Sequence, residues 1–163
     1  MRVIEDMAKA TRDWNHSSSG VNSPLRTNVA AAQKMSSPEI VGISPFFIVE
    51  NVAIALEFYR DSLGFDITYQ EPTDDPFFGI VNRGRGMIML KAVGVEPTPN
   101  CARHAWARWD AYVEVPDPDA LADEYSARGV EFSEPLKDTD DGLRGFELRD
   151  SDGYVLFFGR PRL

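Results

Sequence analysis

The sequence is poor in the residues on which most enzymatic chemistry is built. It has one cysteine and two histidines. The lone Cys101 excludes an intrachain disulfide framework and fits a reducing compartment. It reads as a passive thiol, because no neighbouring base or clear helix N-terminus is visible to activate it. With only His16 and His104, and His16 in the N-terminal stretch, no Ser-His-Asp constellation can be assembled. Long apolar runs are missing as well. No window approaches the roughly 20 residues of a membrane-spanning helix. Met1 to Gly20 holds no apolar stretch of the kind found in secretory signals. A cytoplasmic protein with no membrane partner is the expectation. Nor does a glycine-rich phosphate loop follow a strand. Arg83-Gly84-Arg85-Gly86 lacks the Lys-Ser/Thr ending of a P-loop and reads as a hairpin connection.

Positive charge is scarce and unevenly placed. The chain has 17 basic and 26 acidic residues, for a net charge of −9. Met1 to Ser37 carries five basic and three acidic residues, whereas Pro38 onward carries twelve and twenty-three. A core this acidic argues against nucleic acid, whose binding needs Lys and Arg on the phosphates. It favours a cationic ligand. Residues 1–38 are broken by Asn15 to Gly20, Ser23-Pro24 and Ser36-Ser37-Pro38, and carry no motif. They read as an appendage to a domain spanning 39–163.

What is present is a repeat. Ile43 to Phe65 reads as a strand, a cap and a helix. Asn51 stands at the N-cap, and Val52, Leu56, Tyr59 and Leu63 follow at the spacing of one helical face. Gly64 ends the helix. Gly94 to Arg103 reads as a proline-bearing linker, His104 to Val115 as the strand that opens the second module, and Asp110 to Val130 repeats the pattern. Laying Val49 on Val115 puts Asn51 on Asp117 and Tyr59 on Tyr125. Asp117-Pro118 is an N-cap followed by proline at the first helical position. Three strand-like runs follow each copy: Asp66–Glu71, Phe77–Asn82 and Met87–Val93, then Glu131–Leu136, Arg144–Arg149 and Tyr154–Gly159. Asp152-Gly153 is a hairpin signal. The fold class is therefore α+β, with tandem βαβββ modules at about 42–93 and 104–160 curving their sheets around a cleft.

Alternation assigns the faces. Trp109, Ala111, Val113 and Val115 form an apolar face expected to pack on the helix, with Trp109 in the core. Arg108, Asp110, Tyr112 and Glu114 lie opposite. By the repeat, Ser44, Phe46 and Ile48 hold the matching face of the first module. Two such faces make a half-apolar cleft with a few acidic groups, suited to a small molecule.

Val49 to Phe65, with its FYRDSLGF ending, and Phe146 to Phe158, with RDSDGYVLFF, together resemble the vicinal oxygen chelate superfamily of glyoxalases, extradiol dioxygenases and bleomycin-resistance proteins. The resemblance runs from about Val41 to Arg160. It implies metal-ligand positions at Ser44, Leu90 or its neighbour Met89, Asp110 and Phe157. Only Asp110 of these readily ligates a metal, so no metal, cofactor or catalytic residue is expected. The chain looks most similar to the bleomycin-resistance branch, whose members are acidic, lack the metal ligands and form homodimers with clefts between subunits. They sequester a bulky cationic drug without chemistry and so give antibiotic resistance. The resemblance thus implies a homodimer that binds a small aromatic or cationic ligand. Phe46, Trp106, Asp110, Tyr112, Glu114 and Phe157 are the candidate binding residues. The alternative is a superfamily enzyme, either metal-free or with an atypical metal site.

Overall fold

Two stretches of chain build the same hydrogen-bonded unit twice. The computed structural model describes residues 39–162, and the N-terminal appendage lies outside the described residues. The first module holds β1 (Phe46–Ile48), α1 (Val52–Glu57, continued by a wider π turn over Phe58–Ser62), β2 (Asp66–Glu71), β3 (Phe78–Arg83) and β4 (Gly86–Lys91). After a short α2 (Asn100–Arg103) the second module holds β5 (Ala111–Glu114), α3 (Pro118–Ala127), β6 (Phe132–Asp138), β7 (Leu143–Arg149) and β8 (Val155–Pro161). The sheets have orders β1-β4-β3-β2 and β5-β8-β7-β6. In each, the first strand runs parallel to the last and the other pairings are antiparallel.

The caps act as the sequence requires. Asn51 Oδ1 accepts the Ile54 N–H at 3.1 Å, and Asp117 Oδ1 accepts the Ala120 N–H at 3.0 Å. Each satisfies a donor that the helix leaves unpaired. Gly64 (φ 67°) and Gly129 (φ 77°) close the two helices in the left-handed region, where a Cβ is strained.

The modules are joined through their helical sides. Leu56, Tyr59 and Leu63 of the first share one buried cluster with Ala122, Tyr125, Phe146 and Phe158 of the second. The equivalent tyrosines, Tyr59 and Tyr125, are both fully buried. Burying each large apolar side chain contributes about 1.5–3 kcal/mol. Among the described residues, no helix is long and apolar enough to cross a membrane.

The two signature motifs hold this junction together. The Tyr59 hydroxyl donates to Asp150 Oδ2 at 2.8 Å, with both residues buried. Asp150 Oδ1 accepts the backbone N–H groups of Asp152 (3.0 Å) and Tyr154 (2.9 Å), which shapes the β7–β8 hairpin. Tyr154 stacks on Phe47 at 4.3 Å and donates to the Ile48 carbonyl at 2.7 Å. Asp152 Oδ1 accepts the Glu50 N–H at 2.7 Å. A second clasp sits at the other end of α1. Arg83 donates to the Leu63 carbonyl (2.5 Å) and to Glu124 (2.6 Å), while Arg128 pairs with Glu124 at 3.0 Å. Guanidinium groups suit the negative end of a helix.

Two boundaries differ from those read in the sequence. The first strand of the second module covers only Ala111–Glu114, not His104–Val115, and α2 stands inside the linker from Gly94 to Arg103. The cause is Asp110. Its Oδ1 accepts the Asn100 N–H and its Oδ2 accepts the Val155 N–H, each at 2.8 Å. That side chain turns the chain into α2 instead of extending the strand.

Candidate functional site

Each sheet has an outer face, turned away from the shared cluster. In the second module that face is an aromatic shelf. Tyr112 and Phe157 are paired across β5 and β8, and Phe157 pairs with Glu147 across β7. Phe157 lies flat against the sheet: a Cβ at Gly145 or Gly159 would come within 2.5 Å of its ring. Those glycines are needed because a side chain at either would lift the ring. Trp109 stacks on Phe157 with centroids 4.3 Å apart, and Tyr112 stacks beside it at 5.5 Å. The Trp109 indole N–H donates to Glu147 Oε1 at 2.6 Å, which fixes the ring. Tyr112 remains 41% exposed and Phe157 only 1%, so a ligand would meet Tyr112 first. Burial, and then the charge of Glu114, raise the Tyr112 pKa, so the phenol stays neutral near pH 7.

The first module's outer face is an apolar wall. Phe46 and Ile48 on β1 pair with Met89 and Lys91 on β4, and Phe78 and Ile80 on β3 lie beside them. Phe46 is 45% exposed and its ring neighbour is Phe78, at 6.0 Å.

The structure brings together Tyr112, Phe157 and, by strand alternation, Glu114. It sets Phe46 on the other sheet. Trp106 stands between α2 and β5, 84% exposed, with its backbone N–H donating to His104 Nδ1 at 3.1 Å. Asp110 is a brace, since both of its oxygens accept backbone N–H groups. Trp109 is a correction. It shares the outer face with Tyr112, not the helix-packing face with Ala111 and Val113, because the chain bends at Asp110 and strand alternation does not reach back past it. Glu147 was missed. It was legible by counting back from the Asp152-Gly153 turn, which sets it opposite Phe157.

A divalent metal does not fit the positions implied by the resemblance. Leu90 belongs to the buried cluster, so Met89 is the outward residue on β4. The donors would then be a serine hydroxyl, a thioether, a braced carboxylate and the hydrocarbon ring of Phe157, a set unlike the N, S and carboxylate ligands such ions take. Among the described residues, no group of three or more His, Cys, Asp or Glu could hold a metal ion.

A cavity of about 440 Å³ lies elsewhere, lined by Glu50, Asn51, Ile54, Ser151 and Asp152. Asn51 and Asp152 already cap backbone N–H groups there. The cavity is a seam of the module junction and contains none of the aromatic groups of the shelf.

Comparison with known proteins places these features. Residues 42–158 match the family model described as Glyoxalase/Bleomycin resistance protein/Dioxygenase superfamily. No curated protein sequence matches the chain. The fold is similar to that of TioX from Micromonospora sp. ML1, with TM-score 0.59 and 23% identity over 73% of this chain and 97% of that one. It is similar to the bleomycin-binding protein from bleomycin-producing Streptomyces verticillus, in a structure complexed with copper(II)-bleomycin. That match has TM-score 0.56 and 25% identity over 75% and 97% of the two chains. It is also similar to a lactoylglutathione lyase from Agrobacterium tumefaciens, with TM-score 0.54 and 18% identity over 76% and 95%.

Proposed function

We propose that this chain, which belongs to the Glyoxalase/Bleomycin resistance protein/Dioxygenase superfamily, binds a small aromatic ligand carrying positive charge and holds it without chemistry. The observation that carries the reading is the shelf itself. Trp109 and Tyr112 offer ring surface, and the carboxylates of Glu114 and Glu147 stand on the same face. A cation over such a ring gains roughly 0.5–2 kcal/mol, depending on desolvation. The acidic surroundings speed and orient its approach. Likeness to a protein named for bleomycin binding supports sequestration, and with it a resistance role. In this reading Tyr112, Phe157 and Glu114 form the floor and rim, with Asp110 as the brace beneath.

A second copy of the chain completes the cleft. The modules meet through their helical sides, which leaves both outer faces open, with Phe46 on one and Tyr112 on the other. A homodimer would set the apolar wall of one protomer against the aromatic shelf of its partner. Phe46 and Trp106 then contribute to the ligand's surroundings from the rim.

The test is calorimetry of aromatic cations and their neutral isosteres against wild type and Glu114→Gln. The cations should bind and the isosteres should not. The substitution should weaken cation binding more at low salt than at high salt, because exposed charges are screened. Equal affinity for cation and isostere, or a preference for anions, would remove the proposal.

A further inference from the structure

The shelf already has a cation on it. The Arg108 guanidinium carbon lies 4.3 Å from the centre of the Trp109 ring. Phe157 covers one face of that ring at the same distance, so the guanidinium holds the other. Arg108 Nη1 donates to Asp141 Oδ2 at 2.8 Å, and Nη2 lies 3.6 Å from Glu147 Oε1. An aromatic floor and two carboxylates therefore surround one planar cation. The Thr139 hydroxyl, and then Arg108, hold the Asp141 pKa below its ordinary value, so that carboxylate is charged at neutral pH. Lys137, the other cation nearby, is paired with Glu134. It leaves the box to Arg108.

We infer that Arg108 is a built-in occupant of a guanidinium-shaped box. It acts as a specificity-determining residue, because a ligand cation must displace it to stack on Trp109. The inference rests on the proposed binding of aromatic cations to this shelf. Displacement is easy in physical terms. The Arg108 and Asp141 side chains are about half exposed, at 49% and 50%, and exposed ion pairs hold weakly. Swinging the side chain into water releases one exposed ion pair, a long 3.6 Å approach to the largely buried Glu147 carboxylate and one face of the Trp109 ring. Arg108 thus selects for ligands whose cation is planar and able to meet two carboxylates at once, as a guanidinium or amidinium can. Compact ammonium groups fit the box less well.

The experiment is calorimetry of phenylguanidinium, with phenylurea as neutral isostere, against the full-length wild type, Arg108→Ala and Arg108→Gln. The Gln variant keeps part of the aliphatic stem over the ring, and near-UV circular dichroism checks that all three proteins are folded alike. A box filled by Arg108 about nine-tenths of the time lowers apparent affinity about tenfold. Both variants should therefore bind phenylguanidinium about tenfold more tightly than wild type, with phenylurea unchanged. Equal binding by all three proteins would overturn the role of Arg108 and leave the shelf proposal standing. Weaker binding by the variants would make Arg108 part of the ligand's own contact surface, which also overturns it. Absence of binding in all three would overturn both this inference and the proposed function.

Discussion

Replacing Asp150 by asparagine should remove a pH dependence that the wild type carries. The carboxyl is buried beneath Tyr59. Burial lifts its pKa from the ordinary 3.8 to about 6, although the Tyr59 hydroxyl and two backbone N–H groups oppose the rise. Between those two values the folded protein keeps a proton that the unfolded chain releases. The stability contributed by this group is therefore full below the unfolded pKa and is lost as pH rises through the folded one. The difference corresponds to about 3 kcal/mol. Asparagine keeps an oxygen for the Asp152 and Tyr154 N–H groups, and its amide can donate to the Tyr59 oxygen. Urea denaturation should find the two proteins similar near pH 4 and the variant more stable near pH 7, by up to about 3 kcal/mol. The difference between the two proteins is the diagnostic quantity. Asp61, Asp119, Glu124 and Glu134 are held low first by hydrogen bonds from Arg60, Arg144, Arg83 and Lys137, and Asp141 by Thr139; these groups act in the opposite sense. Asp150→Ala strands three donors and should lose roughly 3 kcal/mol or more across the range. A gap between wild type and Asp150→Asn that stayed constant from about pH 4 to 7 would refute the reasoning.

Other consequences follow from particular contacts. Gly145→Ala would put a Cβ 2.4 Å from the Phe158 carbonyl oxygen and 2.5 Å from the Phe157 ring. It should cost about 1–3 kcal/mol and weaken the near-UV signal of the stack, and an unchanged melt and spectrum would count against the packing described. Arg83→Ala removes the donor to the Leu63 carbonyl and the partner of Glu124, and should lower stability by about 1–2 kcal/mol in thermal melts. A change within error would mean the second clasp is solvated. Light scattering at micromolar concentration should report a dimer; a monomer would remove the second copy from the proposed cleft.

The fold was legible because its signals are local and occur twice. Asn51 and Asp117 mark helix starts, Gly64 and Gly129 mark helix ends, and Tyr59 over Tyr125 fixes the register between copies. The site was only half legible. Tyr112 and Glu114 read as one face because β5 alternates regularly, while Phe157 entered through the family resemblance and only the β5–β8 register sets it beside Tyr112. Trp109 was not placed on that face, because Asp110 uses its carboxylate on distant backbone donors, and that tertiary contact ends the strand alternation. The short α2 escaped for the same reason. Pro99 at its start makes no side-chain cap, and the Asn100 N–H is met by Asp110 instead. The motif RDSDGY carried the family resemblance, yet its residues Asp150, Asp152 and Tyr154 serve the junction of the modules and not the ligand shelf.

The most direct measurement is a titration of the isotopically labelled protein with phenylguanidinium, followed by NMR at the Trp109 indole N–H and the backbone amides. The account predicts that the Trp109 indole resonance and the amides of Tyr112, Glu114 and Glu147 move together with one affinity. Shifts confined to Glu50, Asn51, Ile54, Ser151 and Asp152 would place the ligand in the seam between modules and contradict the account.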